Sequence, residues 1–356
     1  MKMRRRQKKF MLMVIGTVLS AVLTVFLTSA VVDRFLIVPA EATVSEALHE
    51  SESTSRIELL SDDTIASLLG YNYGYAGNSS VLFVKAVNLS MCTEFDEPTV
   101  YLFNSTDYNV NVDEFTDVAY PVSSVNTEEP TVLIVHTHGT EAYVDGDREY
   151  YSADDTFRSQ DIEKNVVAVG KVMADRLNEL GIVTIHDTRM HDKDSYSDSY
   201  TNSYNAVAEY IKEYPTIKYV IDLHRDSIFS SSNENQKPVT TINGEKVAQI
   251  MIVVGSNQKG GHPNWKQNLT VAVVLQEKFN NYPTFGRPIY LRTANFNQQL
   301  LPGMLLLEVG SCGNTLDEAK HAAYLAADCM AEMIGENSPV SKTKSSMSSM
   351  TIQNIE

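Results

Sequence analysis

The stretch Val132-Leu133-Ile134-Val135-His136-Thr137-His138-Gly139-Thr140-Glu141 decides how this chain is read. Four consecutive apolar residues are too short a run for a helix and match a strand buried on both faces, the kind that parallel sheets produce when helices cover both sides. The run breaks at once into imidazoles, small residues and a carboxylate. In open α/β sheets, sites form beyond the carboxyl ends of the strands. The polar half of the stretch is therefore where chemistry is expected.

Working outward, helical spacing follows in Val166, Val169, Val172, Met173, Leu177 and Leu180, stopped by Gly181. A strand is predicted at Ile182 to Ile185, a helix around Tyr204 to Tyr214, and a strand from Lys218 to Leu223 that ends in His224. Asn243-Gly244 reads as a hairpin turn before a strand at Ile250 to Val254. Helix Gln267 to Phe279, strands Pro288 to Leu291 and Met304 to Val309, and a helix from Leu316 to Ile334 complete the pattern. Thr315 and Glu318 form a capping box at the start of that last helix. Helices alternating with short apolar strands predict an α/β domain, a mostly parallel central sheet with flanking helices, over residues 129–335.

The rest of the 356 residues is read more coarsely. Residues 1–9 hold six Lys and Arg and form a cytoplasmic basic segment. Residues 10–32 carry no charge for 23 positions, long enough at about 1.5 Å per residue to cross the roughly 30 Å core of a bilayer. A cleaved signal peptide has a shorter apolar region, so a retained single-pass anchor is expected, with the basic flank inside and the remainder outside the cytoplasm. Residues 33–128 read as a stalk or adaptor, rich in Ser, Glu and Thr and then in Asp, Asn and Pro. The Ser-rich tail, residues 336–356, reads as disordered.

Seven of the 29 basic residues and one of the 45 acidic ones precede Phe35, which leaves 22 against 44 and a formal charge of −22. That excludes nucleic acid and other bulk polyanions as partners. Three cysteines, Cys92, Cys312 and Cys329, are too few for a disulfide framework.

Three strand ends collect residues suited to one chemistry: His136, His138 and Glu141 after the first, His224 after the third, and Glu308 near the end of Met304 to Val309. Zinc hydrolases hold the metal with three protein ligands, leave a position open for water, and use a separate carboxylate to take that water's proton. The H-x-x-E spacing of His138 and Glu141 lets one turn present an imidazole and a carboxylate to one ion, with His224 as the distant third ligand. Glu308, behind Leu305-Leu306-Leu307, stands where a charge is expensive to bury and so needs a partner or a function. It is the candidate general base. His136 is an alternate ligand through an H-x-H pattern, sharing a strand face with His138 by the two-residue period. Asp161 and Glu163, expected to open the first helix, are reserves. Asp222 or Asp226 is the candidate acceptor for the second nitrogen of His224. Arg225 and Arg292 are candidate oxyanion donors, and Tyr143, Asn297 and Gln298 candidate substrate contacts.

The segments Val132 to Tyr143, Asn165 to Gly170, Asp222 to Asp226, Phe296 to Leu300 and Leu307 to Gly310, with Asn314-Thr315, together resemble the stage II sporulation protein P family over about Thr131 to Ile334. The resemblance implies a zinc amidase-like fold and a membrane-anchored Zn²⁺-dependent N-acetylmuramoyl-L-alanine amidase of endospore formers, with a second endopeptidase activity on peptide cross-links. It implies peptidoglycan as substrate, septal wall thinning and forespore engulfment as the setting, the space between mother cell and forespore as the location, and stage II sporulation proteins D and M as partners. The wider zinc amidase family takes its second ligand from a Glu opening the first helix. Here the matching stretch, Asp161 to Asn165, is in a shifted register, and Glu141 is more like the H-x-x-E ligand of metallocarboxypeptidases. Two rival readings are a catalytically inactive wall-binding scaffold and a zinc peptidase acting mainly on stem peptides.

Overall fold

The computed structural model describes residues 57–59, 81–91, 100–115, 128–146, 150–152, 155–230 and 234–336. The expected anchor, most of the stalk, Cys92 and the Ser-rich tail lie outside the described residues. Among the described residues no helix is long and apolar enough to cross a membrane.

In chain order the strands are β1 (Ile57–Leu59), β2 (Val81–Val87), β3 (Val100–Asn104), β4 (Val132–Val135), β5 (Tyr150–Ser152), β6 (Thr184–His186), β7 (Tyr219–Asp226), β8 (Glu234–Ile242), β9 (Glu245–Ala248), β10 (Ile250–Gly255), β11 (Ile289–Arg292) and β12 (Met304–Ser311). The helices are α1 (Val166–Glu179), α2 (Ser199–Glu213), α3 (Trp265–Phe279) and α4 (Leu316–Glu336). The main sheet has eight strands in the order β1-β3-β11-β10-β12-β7-β4-β6. Every neighbouring pair is parallel except β10 with β12. A second sheet, β5-β2-β8-β9, has four strands.

β4, β7 and β10 are buried along their whole length. The two faces of the sheet have different covers. Ile134, Leu223, Leu307 and Ile252 pack with α1, α3 and α4 on one side, while Leu133, Val135 and Val220 pack with Val207 of α2 on the other. The apolar periodicity thus produces the expected layers. The Thr315–Glu318 capping box forms as expected, with Glu318 N donating to Thr315 Oγ1 at 3.2 Å and Thr315 N to Glu318 Oε2 at 3.1 Å.

The folded unit reaches further toward the N-terminus than the expected boundary at residue 129. β3 inserts between β1 and β11, with Leu102 fully buried, and Val110, Val112 and Phe115 join the main core. The first helix is also shifted. It opens at Val166, where Asn165 Oδ1 accepts from Val167 N at 2.9 Å. Asp161 and Glu163 lie in the preceding turn, both exposed.

Candidate active site

At Val135 the chain leaves β4 and turns, and Glu141 N donates to the carbonyl of His138 at 3.0 Å. The H-x-x-E spacing is therefore one tight turn that aims both side chains the same way. Gly139 sits at its crest against the loop after β6. A Cβ there would fall 2.7 Å from the Met190 backbone, so the loop can close on the turn only because no side chain intervenes. From that loop Asp192 grips the turn, accepting from Thr140 N at 3.1 Å and from Thr140 Oγ1 at 2.5 Å. Arg158 Nη1 donates to the same Asp192 carboxylate at 2.6 Å, and its Nη2 lies 3.8 Å from Glu141 Oε1.

β7 supplies the opposite wall. The β7–β12 register sets Glu308 beside His224 and Leu306 beside Asp222. His224 Nδ1 lies 3.4 Å from Glu141 Oε2, its Nε2 lies 3.0 Å from Asp222 Oδ1, and its ring stands edge-on to that of His138 at 5.3 Å. Asp222 is itself fixed by Thr137, whose amide donates at 2.8 Å and whose hydroxyl donates at 2.6 Å. His138, Glu141, His224 and Glu308 thus converge at the carboxyl ends of β4, β7 and β12.

Their electrostatics are unequal. Burial lowers the His138 pKa to about 4, with the positive His224 nearby adding to the effect, so its ring is neutral at pH 7 and offers a lone pair. Burial opposes ionisation of Glu141, but the His224 ring and the Arg225 guanidinium hold its carboxyl down at about 2. Burial alone would also discharge His224. Asp222 and Glu141 overcome that and push its pKa well up. Glu308 goes the other way: burial, then the charge of Asp226, push its carboxyl up to about 8, against the pull of His224.

Among the described residues no three His, Cys, Asp or Glu side chains already surround a common point as a metal-binding group. The donors contact one another instead. The set nonetheless fits a zinc ion in kind: two imidazoles and a carboxylate, buried together. His138 Nδ1 and Glu308 Oε2 are buried without hydrogen-bond partners, an arrangement that buried polar atoms rarely keep without a use. Asp222 and Glu141, one on each side of His224, favour positive charge at that ring. Asp222 is on the far nitrogen, the orientation device common behind metal-bound imidazoles.

The other sequence candidates part company. His136 does not share a site with His138. Its Nδ1 lies 3.0 Å from the Leu223 carbonyl and its Nε2 2.9 Å from His186 Nε2, against Gly170 of α1. The strand period ends at Val135, so the two-residue rule no longer relates the two rings. Asp226 is not the His224 partner, because Arg287 Nη2 donates to it at 2.9 Å. Arg225 is committed to the carbonyls of Ala142 (3.0 Å) and Phe157 (2.6 Å), and Arg292 lies over the Tyr290 ring at 4.7 Å. Tyr143 is buried and its hydroxyl donates to the Val309 carbonyl at 3.0 Å. Asn297 Nδ2 donates to the Tyr200 carbonyl at 2.8 Å, and Gln298 bridges Gly255 N and the Val253 carbonyl. The contacts these side chains make are internal to the fold. Asp161 and Glu163 pair locally, Glu163 N donating to Asp161 Oδ1 at 3.1 Å.

Sequence reading missed Asp192, Arg158, Tyr196 and Tyr200. Tyr196 stacks flat on His138, with centroids 4.5 Å apart, and the Arg158 guanidinium lies 5.0 Å over the Tyr196 ring. Asp192, Arg158 and Tyr196 fall in no periodic segment and at no ligand-like spacing, and Tyr200 precedes the predicted helix start at Tyr204 although it belongs to α2.

The family model for stage II sporulation protein P matches residues 45–331, well over half of the chain. The chain belongs to the stage II sporulation protein P family. The Stage II sporulation protein P of Bacillus subtilis (strain 168) is 28% identical over 221 residues, which cover 60% of this chain and 53% of that protein. The chain therefore spans about half the length of the curated relative it matches. Among solved structures, the N-acetylmuramyl-L-alanine amidase Ami1 of Mycobacterium abscessus aligns at 14% identity and a TM-score of 0.32, covering 59% of this chain and 98% of that one. The CwlD amidase of Clostridioides difficile, solved in complex with the GerS lipoprotein, aligns at 12% identity and a TM-score of 0.34, covering 59% and 98%. Likeness at that level is too remote to transfer a residue or a role.

Proposed function

We propose that this chain is a zinc-dependent peptidoglycan hydrolase of sporulation, an N-acetylmuramoyl-L-alanine amidase that cuts the amide between N-acetylmuramic acid and the L-Ala of the stem peptide. The observation that carries the reading is the convergence of His138, Glu141, His224 and Glu308 at three strand ends, with His138 Nδ1 and Glu308 Oε2 buried without hydrogen-bond partners. His138, Glu141 and His224 would hold the zinc. When bound, the ion supplies a Lewis acid for the amide carbonyl and lowers the pKa of water toward about 7.

The chain's own groups do the rest. Asp222 keeps the His224 ring in its orientation, and the Arg225 amide, donating to Glu141 Oε2 at 3.2 Å, fixes that carboxylate. Asp192 and Arg158 clamp the turn that carries His138 and Glu141. Glu308 takes the proton from the attacking water and returns it to the departing amine. A carboxyl that titrates near the working pH suits both halves of that exchange. Cleavage of peptide cross-links, action in septal wall thinning and forespore engulfment, partnership with stage II sporulation proteins D and M, and anchoring by residues 10–32 with the catalytic domain outside the cytoplasm all belong to the same proposal. Family membership supports them.

The test uses the full chain in detergent, with zinc content and peptidoglycan digestion products measured for wild type, Glu308→Ala and His224→Ala. About one zinc per chain and release of intact stem peptides are expected from wild type. Glu308→Ala keeps the metal and loses activity, and His224→Ala loses both. A wild type that binds no zinc and releases nothing, even with a glycan-cleaving enzyme added, makes a wall-binding scaffold the better account.

A further inference from the structure

An amide hydrolase needs a donor for the oxygen that gains charge when water adds to the carbonyl carbon. The two arginines read from the sequence are placed elsewhere. Arg225 is bound to the Ala142 and Phe157 carbonyls and the Ser227 hydroxyl, and Arg292 lies over the rings of Tyr290 and Phe296.

Tyr200, in the first turn of α2, is placed differently. Its ring meets that of His138 edge-on at 5.6 Å. His138 stands just beyond the carboxyl end of β4, so this ring contact places Tyr200 beside the gathered machinery. The hydroxyl makes no hydrogen bond among the described residues.

The backbone beneath this ring is held with unusual care. Asn297 Nδ2 donates to the Tyr200 carbonyl at 2.8 Å and to Ser203 Oγ at 3.0 Å. Ser203 Oγ in turn lies 2.8 Å from Thr137 Oγ1, the hydroxyl that donates to Asp222. Asn297 reaches α2 from a left-handed backbone, φ 58°, directly after Phe296 at φ 51°. For residues other than glycine such conformations are strained, less so for Asn than for Phe, and they gather at functional sites. The Phe296 ring, 6.2 Å from that of Tyr200, closes the other side. The segment Phe296 to Leu300 therefore acts on the site indirectly, by fixing the helix turn that bears Tyr200.

We propose that Tyr200 is a catalytic residue, its phenol donating a hydrogen bond to the amide carbonyl oxygen as that oxygen becomes the oxyanion of the tetrahedral adduct. This rests on the amidase reading above. The phenol transfers no proton. Water adds to the carbonyl carbon, Glu308 carries the water's proton to the amine, the C–N bond breaks, and the Tyr200 hydrogen bond tightens and relaxes as the oxygen gains and loses charge.

The experiment compares the full chain in detergent, zinc added, as wild type, Tyr200→Phe and, as a control one turn along on the exposed side of α2, Tyr204→Phe. Each is assayed for kcat and KM on purified peptidoglycan, zinc content, melting temperature, and calorimetric affinity for a phosphinate that mimics the tetrahedral adduct. Tyr200→Phe is expected to keep zinc, melting temperature and KM, to lose about 100-fold in kcat, the scale of one oxyanion donor, and to lose a similar factor in phosphinate affinity. Tyr204→Phe stays at wild-type values. Unchanged kcat and phosphinate affinity in Tyr200→Phe, beside an active wild type, overturn the proposal alone. A kcat loss accompanied by lost zinc or a lowered melting temperature overturns it too, because Tyr200 would then merely support His138. A wild type that neither binds zinc nor cleaves peptidoglycan overturns the amidase reading and this inference with it.

Discussion

A carboxyl set behind Leu305-Leu306-Leu307 keeps its proton when folded and gives it up when unfolded. For Glu308 the folded pKa is raised from 4.5 to about 8, chiefly by burial and then by Asp226. Below about pH 4.5 both states are protonated and the contribution to stability is fully present. As pH rises toward about 8 the unfolded chain releases the proton while the folded one holds it, so that contribution is progressively lost. Glu308→Gln removes the ionisation and keeps the shape. In zinc-free protein the variant should therefore melt close to wild type at pH 4.5 and above it at pH 8. A difference of on the order of 1–2 kcal/mol corresponds to about 2–8 °C for a domain of this size. Thermal melts across that range check it, and a difference that does not grow with pH contradicts it. The same variant should lose at least about 100-fold in hydrolysis, the lower end of what general acid–base catalysis contributes. A site residue whose removal stabilises the protein is present for chemistry and not for folding.

At the scale of elements, what the sequence revealed follows from periodicity. β4, β7, β10 and β12 announce themselves as short apolar runs, and α1, α3 and α4 by their 3.6-residue spacing, because sheet and helix impose those periods on whatever they bury. His138, Glu141, His224 and Glu308 were legible for the same reason: each stands in or just beyond a recognisable strand. The His136 assignment failed where the period did, one residue past Val135, when the chain left the strand. β3 was hidden because Val-Tyr-Leu-Phe-Asn lies among Asp, Asn, Thr and Pro with little periodicity around it. Asp192 was hidden because it reaches the His138–Glu141 turn from a loop 52 residues away from Thr140. Loop residues obey no period, so only the folded chain shows that this carboxylate and Arg158, bonded to each other, clamp the turn at Thr140. Asp192→Asn keeps the size and removes the charge-assisted bonds. Outer-shell groups of this kind are worth about 10–100-fold in metal affinity, so zinc competition with a chromophoric chelator should show a loss in that range while KM for peptidoglycan stays near wild type. Unaltered zinc affinity would mean that the turn holds its shape without the clamp.

For the molecule as a whole, the strands and turns between residues 81 and 115 matter more than their composition suggests. β3 completes the parallel run β1-β3-β11-β10 and covers what would otherwise be the open edge of β11. Val100, Leu102, Val110, Val112 and Phe115 are all at least nine-tenths buried in the core shared with α3. At about 1.5–3 kcal/mol for each large apolar side chain, these five contribute on the order of 10 kcal/mol, as much as the entire net stability of an ordinary domain. Their loss would also expose a sheet edge, a template for pairing with another chain. A chain that begins at Glu129 should therefore fail to give a cooperative melt and should aggregate, whereas one that begins at Ser55, where the compact unit starts, should melt cooperatively and, with zinc added, digest peptidoglycan. Far-UV circular dichroism melts and light scattering on the two chains decide the matter. A cooperative transition at an equal melting temperature for the shorter chain would show that residues 55–128 are an appendage to the catalytic fold and not part of it.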